Sequence, residues 1–332
     1  MYFNKSLKSF NSFGVESSAA KYVRIENTEQ LKKILSVNKK VKKIVLGGGS
    51  NILFTKKFNG LCVHMQNKGI EIIGETENYV IVEINSGENW HNFVLWCLEK
   101  DFGGVENLVL IPGCVGAAPI QNIGAYGVEL KDVFESCTTI DLETLQTKKF
   151  KIKDCRFGYR DSIFKGLLKN KIVITSIQVK LSKHSHKFNL SYASLKKLKS
   201  IKNLSIKKIA QTIIKIRNSK LPDPKKIGNA GSFFKNPIIH KILFDKLHKT
   251  HKNIPFIKLN NGKLKIPAAW LIENTFEKGY QRGNVGIYKN QPLVIVNYGN
   301  AAGKEIINFS KDIQKKVKKK FGIELLNEVV IH

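Results

Sequence analysis

Residues 112–127 read PGCVGAAPIQNIGAYG, a segment with four glycines, three alanines and no charged residue. Glycine permits positive φ and lets the main chain approach a ligand closely. Successive main-chain N–H groups in such turns form concavities that bind anions, pyrophosphate included, and the amides of Gln121 and Asn122 add donors and acceptors for a heterocycle. This glycine segment therefore predicts a site for a large, flat ligand, with a glycine-rich surface loop as the simpler alternative.

A second glycine cluster, GGGSN at 47–51, directly follows a short apolar strand at 43–46. Glycines in that position are typical of phosphate-binding turns, where Ser50 or Asn51 can hydrogen-bond a phosphate oxygen. The cluster lacks the G-x-G-x-x-G spacing, and no helical pattern follows it. A doubly wound nicotinamide-binding fold is therefore disfavoured.

Length and composition describe an ordinary globular protein. The 332 residues suggest two or three domains, and the chain is 42% hydrophobic and 25% charged. The N-terminus has no apolar run of the signal-peptide kind, and no later run reaches membrane-spanning length. We therefore expect a soluble, cytoplasmic protein without a membrane partner.

The cysteines and histidines indicate no metal site and no disulfide framework. Five cysteines are an odd number, and none forms a C-x-x-C pair. His184 and His186 form an H-x-H, but no further ligands stand nearby. We expect scattered buried thiols and no bound metal.

The net charge of +30 raises the alternative of a nucleic-acid-binding protein. Only five of the 56 basic residues are arginines, the residue type preferred for bidentate base and phosphate contacts. The lysines are spread along every segment, as codon bias would leave them on tolerant surface positions. We therefore expect no dedicated nucleic-acid surface, only weak, salt-sensitive adsorption.

Hydrophobic spacing predicts a mixture of helices and strands. A short helix begins after Asn27 as its N-cap, and residues 89–99 form a helix that buries Phe93, Trp96 and Cys97. Further helices are expected at 205–217, 240–249, 267–274 (with Pro267 at the first helical position) and 303–321. Strands are expected at 43–46, 60–65, 70–73, 79–84, 137–142, 171–181, 293–297 and 323–332.

Three short segments hold unusual polar residues. Arg160 lies in RFGYRDS (156–162), Ser232 follows two small residues in GNAGSFFKNP (228–237), and Glu328 interrupts the apolar closing stretch. An acid at such a position either faces solvent or lies in a pocket, and the alternation of residues does not decide between the two. For each of the three, a structural ion-pair or surface role is the alternative to a catalytic one.

Taken in order, six segments resemble the UDP-N-acetylenolpyruvoylglucosamine reductase (UDP-N-acetylmuramate dehydrogenase) family, in its longer, first-type form. The segments are GGGSN, PGCVGAAPIQNIGAYGVE, CRFGYRDSIFK, KLPDPK, GNAGSFFKNP and the closing NEVVI. The resemblance extends from about residue 8 to the C-terminus.

The resemblance implies an α+β fold of the p-cresol methylhydroxylase/vanillyl-alcohol oxidase type. Two FAD-binding subdomains would cover residues 1–66, completed by 323–332, and residues 67–219. An α+β substrate-binding domain would cover 220–322. The implied protein is a monomer.

The resemblance also implies non-covalent FAD, NADPH as electron donor and UDP-N-acetylglucosamine enolpyruvate as substrate. Substrate contacts are implied for Tyr159, Tyr192, Lys220 and Asn236, with Tyr192 over the diphosphate. The implied FAD contacts lie in the two glycine clusters: Gly47, Gly48, Gly49, Ser50, Asn51, Pro112, Gly113, Gly116, Ala117, Ala118, Gln121, Asn122, Gly124, Ala125, Tyr126 and Gly127. Ala117 and Ala118 depart from the family, which often carries hydroxyl residues there.

In the implied reaction, reduced flavin delivers a hydride to the enolpyruvyl group. Arg160 would stabilise the resulting enolate, Ser232 would protonate the adjacent carbon, and Glu328 would assist. A flavin oxidase of the same fold, acting on an alcohol or phenol with oxygen as acceptor, is the alternative within enzymes.

Overall fold

The chain divides into two units, and the computed structural model describes all 332 residues. Unit 1 contains Met1–Lys5, Ala19–Gly48 and Phe58–Arg217. Unit 2 contains Ser6–Ser18, Gly49–Lys57 and Asn218–His332. One of the boundaries between these ranges falls inside GGGSN, between Gly48 and Gly49.

Unit 1 opens with a four-stranded sheet and its covering helix. The strands, in spatial order, are Tyr2–Ser6, Ser18–Ile25, Phe58–Met65 and Lys43–Leu46. The last three are parallel, which requires crossover connections. The helix Thr28–Val37 supplies one, and the side chain of Asn27 caps it as predicted by accepting a hydrogen bond from the Gln30 N–H.

A five-stranded antiparallel sheet is the second large sheet of unit 1. Its strands, in spatial order, are Thr147–Lys151, Phe134–Asp141, Ile172–Ser182, Tyr79–Asn85 and Ile70–Glu75. The helices Trp90–Glu99 and Ile206–Lys220 contribute side chains such as Phe93 and Ile213 to the core of this sheet. These elements confirm the predicted strands and helices to within a few residues. Trp96, predicted to be buried, is only half-buried and stacks on Phe93.

Short elements complete unit 1. The 3₁₀ helix Val115–Gln121 and two short strands, Gly124–Ala125 and Val128–Glu129, shape the glycine segment and its continuation. Further 3₁₀ turns are Glu106–Leu108, Leu130–Asp132, Ile152–Asp154 and Ala193–Ser200. All five cysteines are free, and four of them are buried.

Unit 2 contains three small sheets and three helices. A four-stranded antiparallel sheet has the order Gly228–Ser232, Val294–Asn297, Val285–Ile287, Gln281–Arg282. A three-stranded sheet has the order Ile238–Ile239, Leu264–Lys265, Ile257–Lys258, and Val330–Ile331 pairs in parallel with Ile52–Leu53. The helices are Lys241–Thr250, Ala268–Glu273 and Gly303–Phe321, and Lys8–Phe10 forms a 3₁₀ turn. None of the helices in the protein combines the length and the apolar character that a membrane crossing needs.

Two sequence predictions in unit 2 are wrong in detail. The sequence predicts a closing strand over 323–332, but only Val330–Ile331 is a strand. The residues before it make isolated contacts with the segment 233–235, such as the bond from the Lys235 N–H to the Leu326 carbonyl, instead of a continuous ladder. Pro267, predicted at the first helical position, is the N-cap, and the helix begins at Ala268.

Candidate active site

Within unit 1, the first two glycines of GGGSN meet the glycine segment main chain against main chain. A Cβ added to Gly48 would lie 2.9 Å from the Gly113 Cα, and one added to Gly116 would lie 2.4 Å from the Ser86 Cβ. The Gly113 carbonyl accepts from the Trp90 N–H at 3.0 Å, which ties the segment to the start of the helix Trp90–Glu99. Part of the need for glycine therefore comes from packing between loops, in addition to the ligand approach that the sequence predicted.

The end of the glycine segment is a tight two-residue hairpin. Tyr126 and Gly127, with φ of +49° and +87°, connect the strands Gly124–Ala125 and Val128–Glu129. Positive φ at both central residues matches the twist of paired strands. Non-glycine residues with positive φ cluster at functional sites, where the surrounding structure holds them. Asn122, at φ +45°, is a second such residue in this segment.

Asn122 is fully buried and hydrogen-bonded only to protein groups. Its Nδ2 donates to the Glu129 carboxylate and to the Gly158 carbonyl, each at 3.1 Å, and its Oδ1 accepts from the Lys131 N–H at 3.0 Å. Both side-chain groups of Asn122 are thus committed to protein partners, which gives the residue a structural role in this structure. Its predicted contact with the cofactor stays a prediction.

Gly49 and Ala118, two further predicted FAD contacts, are also buried. Gly49 is buried in unit 2, where an added Cβ would lie 1.9 Å from the Phe10 carbonyl oxygen. Ala118 is 2% exposed and belongs to the core of the five-stranded sheet. Protein groups surround both residues in this structure, and their predicted contacts with FAD stay predictions. The other predicted FAD contacts have exposed or half-buried surface and stay predictions.

Arg160 lies at the tip of a tight turn next to the glycine segment. Gly158 and Asp161 exchange main-chain hydrogen bonds, which leaves Tyr159 and Arg160 as the two central residues, with Arg160 at φ +52°. The Arg160 Nη2 donates to the Gly124 carbonyl at 2.5 Å, and its guanidinium lies 5.5 Å from the centre of the Tyr159 ring. The structure thus brings this predicted catalytic residue to the predicted cofactor segment.

Tyr192, the predicted cover of the diphosphate, lies in unit 1 and is 48% exposed. Its ring packs edge-on against that of Tyr126, with ring centroids 5.0 Å apart. Tyr192 and Tyr159 therefore both neighbour the glycine segment or the Arg160 turn, and both retain free surface.

Arg217 is a candidate functional residue that the sequence reasoning missed. It occupies the same stripe of the helix Ile206–Lys220 as the buried Ile206, Ile209 and Ile213, and its Nε is buried without a hydrogen-bond partner. Burial lowers the pKa of its guanidinium, while nearby Tyr126 acts in the opposite direction. The signal was available: an arginine in a lysine-rich chain falls on the apolar stripe of a helix.

Arg217 also affects His91, whose Nδ1 accepts from the Leu110 N–H at 3.2 Å. Burial, and then the charge of Arg217, lower the pKa of His91, so the imidazole is neutral at pH 7.

A second buried side-chain atom without a partner lies in the same unit. The Oδ1 of fully buried Asn107 has no partner, whereas its Nδ2 donates to the Tyr126 and Asn189 carbonyls. Nothing in the sequence marked Asn107.

In unit 2 the structure brings Ser232 and Glu328 to neighbouring segments. The Glu328 N–H donates to the Phe233 carbonyl at 2.8 Å, and the Lys235 N–H donates to the Leu326 carbonyl at 2.8 Å. The Asn51 Nδ2 donates to the Glu328 carbonyl at 3.2 Å, which holds the segment from its other side. Both Ser232 and Glu328 are half-buried, so Glu328 is neither fully solvent-facing nor enclosed.

Lys220 and Asn236, the other predicted substrate contacts, belong to unit 2. Lys220 is exposed at the end of the helix Ile206–Lys220. The Asn236 Oδ1 accepts from the Ala268 N–H at 2.9 Å at the start of the helix Ala268–Glu273, which leaves its Nδ2 as the available donor. Of the predicted catalytic residues, Arg160 belongs to unit 1, and Ser232 and Glu328 belong to unit 2.

Comparison with known proteins identifies relatives over the whole chain. An FAD binding domain matches residues 19–144, and the C-terminal domain of UDP-N-acetylenolpyruvoylglucosamine reductase matches 223–332. The UDP-N-acetylenolpyruvoylglucosamine reductase of Flavobacterium johnsoniae is 49% identical over 98% of each chain. That of Amoebophilus asiaticus is 47% identical over 99% of this chain and 98% of its own.

A solved structure confirms the fold. The crystal structure of UDP-N-acetylenolpyruvylglucosamine reductase from Thermus caldophilus matches with a TM-score of 0.70 at 20% identity and covers 99% of both chains. The predicted α+β FAD-binding fold is confirmed. The chain belongs to the UDP-N-acetylenolpyruvoylglucosamine reductase family.

Proposed function

We propose that this protein catalyses the NADPH-dependent, FAD-mediated reduction of UDP-N-acetylglucosamine enolpyruvate to UDP-N-acetylmuramate, a step in the synthesis of peptidoglycan precursors. The observation that carries the proposal is the 49% identity to the Flavobacterium johnsoniae reductase over 98% of both chains. The FAD binding domain that matches residues 19–144 supports an oxidoreductase that uses this cofactor.

The residues of unit 1 fit FAD. A buried guanidinium Nε without a partner at Arg217 suits an anionic group, and the buried, unpaired Oδ1 of Asn107 suits an N–H donor. FAD has both a pyrophosphate and a flavin N–H. The chemistry that bound FAD supplies is hydride transfer, accepted from NADPH and delivered to the methylene carbon of the enolpyruvyl group.

Arg160 is proposed to stabilise the charge that develops on the carboxylate side of the substrate. Addition of a hydride to the methylene carbon leaves negative charge on the adjacent carbon, which delocalises into the carboxylate as an enolate-like dianion. A preorganised guanidinium lowers the free energy of such a state, because it need not reorganise during the reaction. The hydrogen bond from Arg160 to the Gly124 carbonyl and the contact with the Tyr159 ring support this preorganisation.

Ser232 is proposed to donate the proton that the carbon next to the carboxylate receives. A neutral hydroxyl is a weak acid, but the enolate that it meets is strongly basic. Glu328 would assist, by a hydrogen bond to the substrate or by orienting a neighbour. The main-chain hydrogen bond between Glu328 and Phe233, the residue after Ser232, supports a joint role.

Four residues are proposed to bind the sugar nucleotide. Tyr159 and Tyr192 supply phenol groups, and Lys220 and Asn236 supply donors for phosphate oxygens. The exposed surfaces of Tyr192 and Lys220 support this assignment.

The proposal includes a monomeric, cytoplasmic enzyme with three domains. Pairing of Val330–Ile331 with Ile52–Leu53 supports completion of the first domain by the end of the chain. The even spread of lysines supports the absence of a dedicated nucleic-acid surface.

Anaerobic rapid mixing tests the proposal in two half-reactions. NADPH should bleach the flavin, and the enolpyruvyl sugar nucleotide should then restore its colour. Ser232→Ala should leave the first rate unchanged within about twofold and slow the second by at least about a hundredfold, whereas Ser232→Cys, which keeps an acidic proton, should recover part of the second rate. Wild-type flavin that oxygen reoxidises but the sugar nucleotide does not would indicate a flavin oxidase instead.

A further inference from the structure

Four hydrogen bonds join the segment that carries Arg160 to the glycine segment. We define the arginine segment as residues 156–165. The Ser162 Oγ donates to the Ile120 carbonyl at 2.7 Å, and Arg160 donates to the Gly124 carbonyl. Two further bonds run from the Asn122 Nδ2 to the Gly158 carbonyl at 3.1 Å and from the Lys165 Nζ to the Gln121 Oε1 at 3.2 Å.

Two of these bonds are protected from water. Ser162 is 4% exposed and Asn122 is fully buried. Buried polar groups that lose a partner cost the full desolvation of the group left behind, so such bonds hold geometry firmly. Ser162 is also fixed on its own side, because its Oγ accepts from the Phe164 N–H at 3.1 Å.

Asn122 is fixed in the same way from the glycine segment. Its Nδ2 also donates to the Glu129 carboxylate, and its Oδ1 accepts from the Lys131 N–H. These hydrogen bonds hold Asn122 at its positive φ. The bonds of Asn122 and Ser162 lie on the two sides of the Arg160 turn. Asn122 binds Gly158, just before the turn, and Ser162 lies just after the turn and binds Ile120. Both ends of the turn are therefore anchored to the glycine segment.

We propose that Asn122 and Ser162 are positioning residues that set the place of the Arg160 guanidinium relative to the bound cofactor. The inference rests on the proposed function, because it needs Arg160 to act on the substrate. A shift of about 1 Å in a positioned group is enough to slow a reaction by about a hundredfold. Removal of either bond should therefore impair the step that uses Arg160, and removal of the Ser162 bond should leave the transfer of hydride from NADPH to FAD largely intact.

The test compares the half-reactions of Ser162→Ala and Asn122→Gly with those of Ser136→Ala. Ser136 is a matched control: it is 3% exposed, and its Oγ donates to the Gln178 Oε1 at 2.9 Å in the five-stranded sheet of the same unit. We expect Ser162→Ala and Asn122→Gly to lower the rate of flavin reoxidation by the sugar nucleotide by about 10- to 100-fold. In Ser162→Ala, the rate of flavin reduction by NADPH and the amount of bound FAD should change by less than about threefold, and Ser136→Ala should leave both rates unchanged.

A double-mutant cycle separates positioning from a general structural role. In an Arg160→Ala background, Ser162→Ala should change the reoxidation rate by less than about twofold, because the group that it positions is gone. An equal fold-loss in both backgrounds, equal losses in both half-reactions, or loss of FAD from Ser162→Ala would each overturn the inference. If wild-type enzyme is not reoxidised by the sugar nucleotide, the proposed function fails; if it is and Ser162→Ala matches it, only this inference fails.

Discussion

At the scale of single residues, the candidate site is marked by polar groups whose needs the protein itself does not meet. The Nε of Arg217 and the Oδ1 of Asn107 are buried without partners, and such atoms are rare in folded proteins. By contrast, the Nδ2 and the Oδ1 of Asn122 both have protein partners. The contrast separates residues available to a ligand from residues that shape its site.

Arg217→Met should stabilise the apoprotein and weaken cofactor binding. The change removes a half-buried charge whose buried Nε has no partner, so the free energy of unfolding of the apoprotein should rise by about 1 kcal/mol. The dissociation constant for FAD should rise at least about tenfold if the guanidinium serves the cofactor. Thermal unfolding and fluorescence titration with FAD measure the two effects. Lys215→Met, at an exposed position of the same helix, should change neither, and unchanged FAD affinity in Arg217→Met would contradict the assignment.

His64 should make the stability of unit 1 depend on pH. Burial, and then the charge of Arg24, lower the pKa of His64 to about 4, and the Tyr22 hydroxyl contacts its Nδ1 at 2.6 Å. The unfolded chain titrates near pH 6.5, so it takes up a proton before the folded one. The stabilisation is complete above about pH 6.5 and declines toward pH 4.

Lowering the pH from 7 to 5 should reduce the free energy of unfolding by about 2 kcal/mol through the protonation of His64 in the unfolded chain. Urea unfolding at the two pH values measures the difference, and His64→Gln should reduce it by that amount. Tyr22→Phe keeps the imidazole buried and serves as the control. An identical pH dependence in wild type and His64→Gln would refute the prediction.

At the scale of elements, positions in the loops restrict the residue type more strictly than positions in the strands and helices. Gly49 has φ of +62°, and a Cβ added to it would collide with the Phe10 carbonyl. Gly322, at φ +67°, ends the helix Gly303–Phe321 and has open space around it. Both positions need a left-handed conformation. Only Gly49 also lacks room for a side chain.

Gly49→Ala should therefore destabilise unit 2 much more than Gly322→Ala. Left-handed strain alone costs about 1 kcal/mol in Gly322→Ala. Displacement of the Phe10 main chain adds overpacking, so Gly49→Ala should cost at least about 3 kcal/mol in total. Chemical denaturation of the two variants gives the comparison, and equal losses would show that the contact with Phe10 yields easily.

The helices and the sheet strands were predictable because their patterns are local. The helix after Asn27 has its cap and apolar spacing within ten residues, and its observed bounds follow them. The closing strand was over-predicted because strand pairing depends on a partner. Only Val330–Ile331 finds one at Ile52–Leu53, nearly 280 residues earlier in the chain, and no local pattern contains that information.

The candidate site was predictable through its motifs and not through its contacts. Arg160, Ser232 and Glu328 stood out as polar residues in unusual surroundings. The partners of Asn122 and Ser162 did not, because hydrogen bonds to the main chain of distant segments leave no trace in spacing. Arg217 was missed although its helical position was readable, since lysine-rich helices made a further basic residue inconspicuous.

At the scale of the whole molecule, the net charge of +30 affects the binding of polyanions but not the chemistry of the candidate active site. A long helix, Gly303–Phe321, has three lysines in its last turn, and similar lysines cover other exposed surfaces. Such a field attracts any polyanion without reading its sequence. The charge therefore predicts adsorption that depends on ionic strength alone.

The protein should bind duplex DNA at about 20 mM salt and release it by about 200 mM, with equal affinity for unrelated sequences. Neutralisation of several phosphates releases counterions, so the logarithm of the binding constant should fall linearly with the logarithm of the salt concentration. Fluorescence anisotropy with two labelled oligonucleotides measures the slope, and the flavin spectrum should not change on binding. Retention of one sequence above 200 mM would instead require a dedicated surface, because diffuse lysine charge is screened over less than about 8 Å at that ionic strength and provides no base-specific contacts.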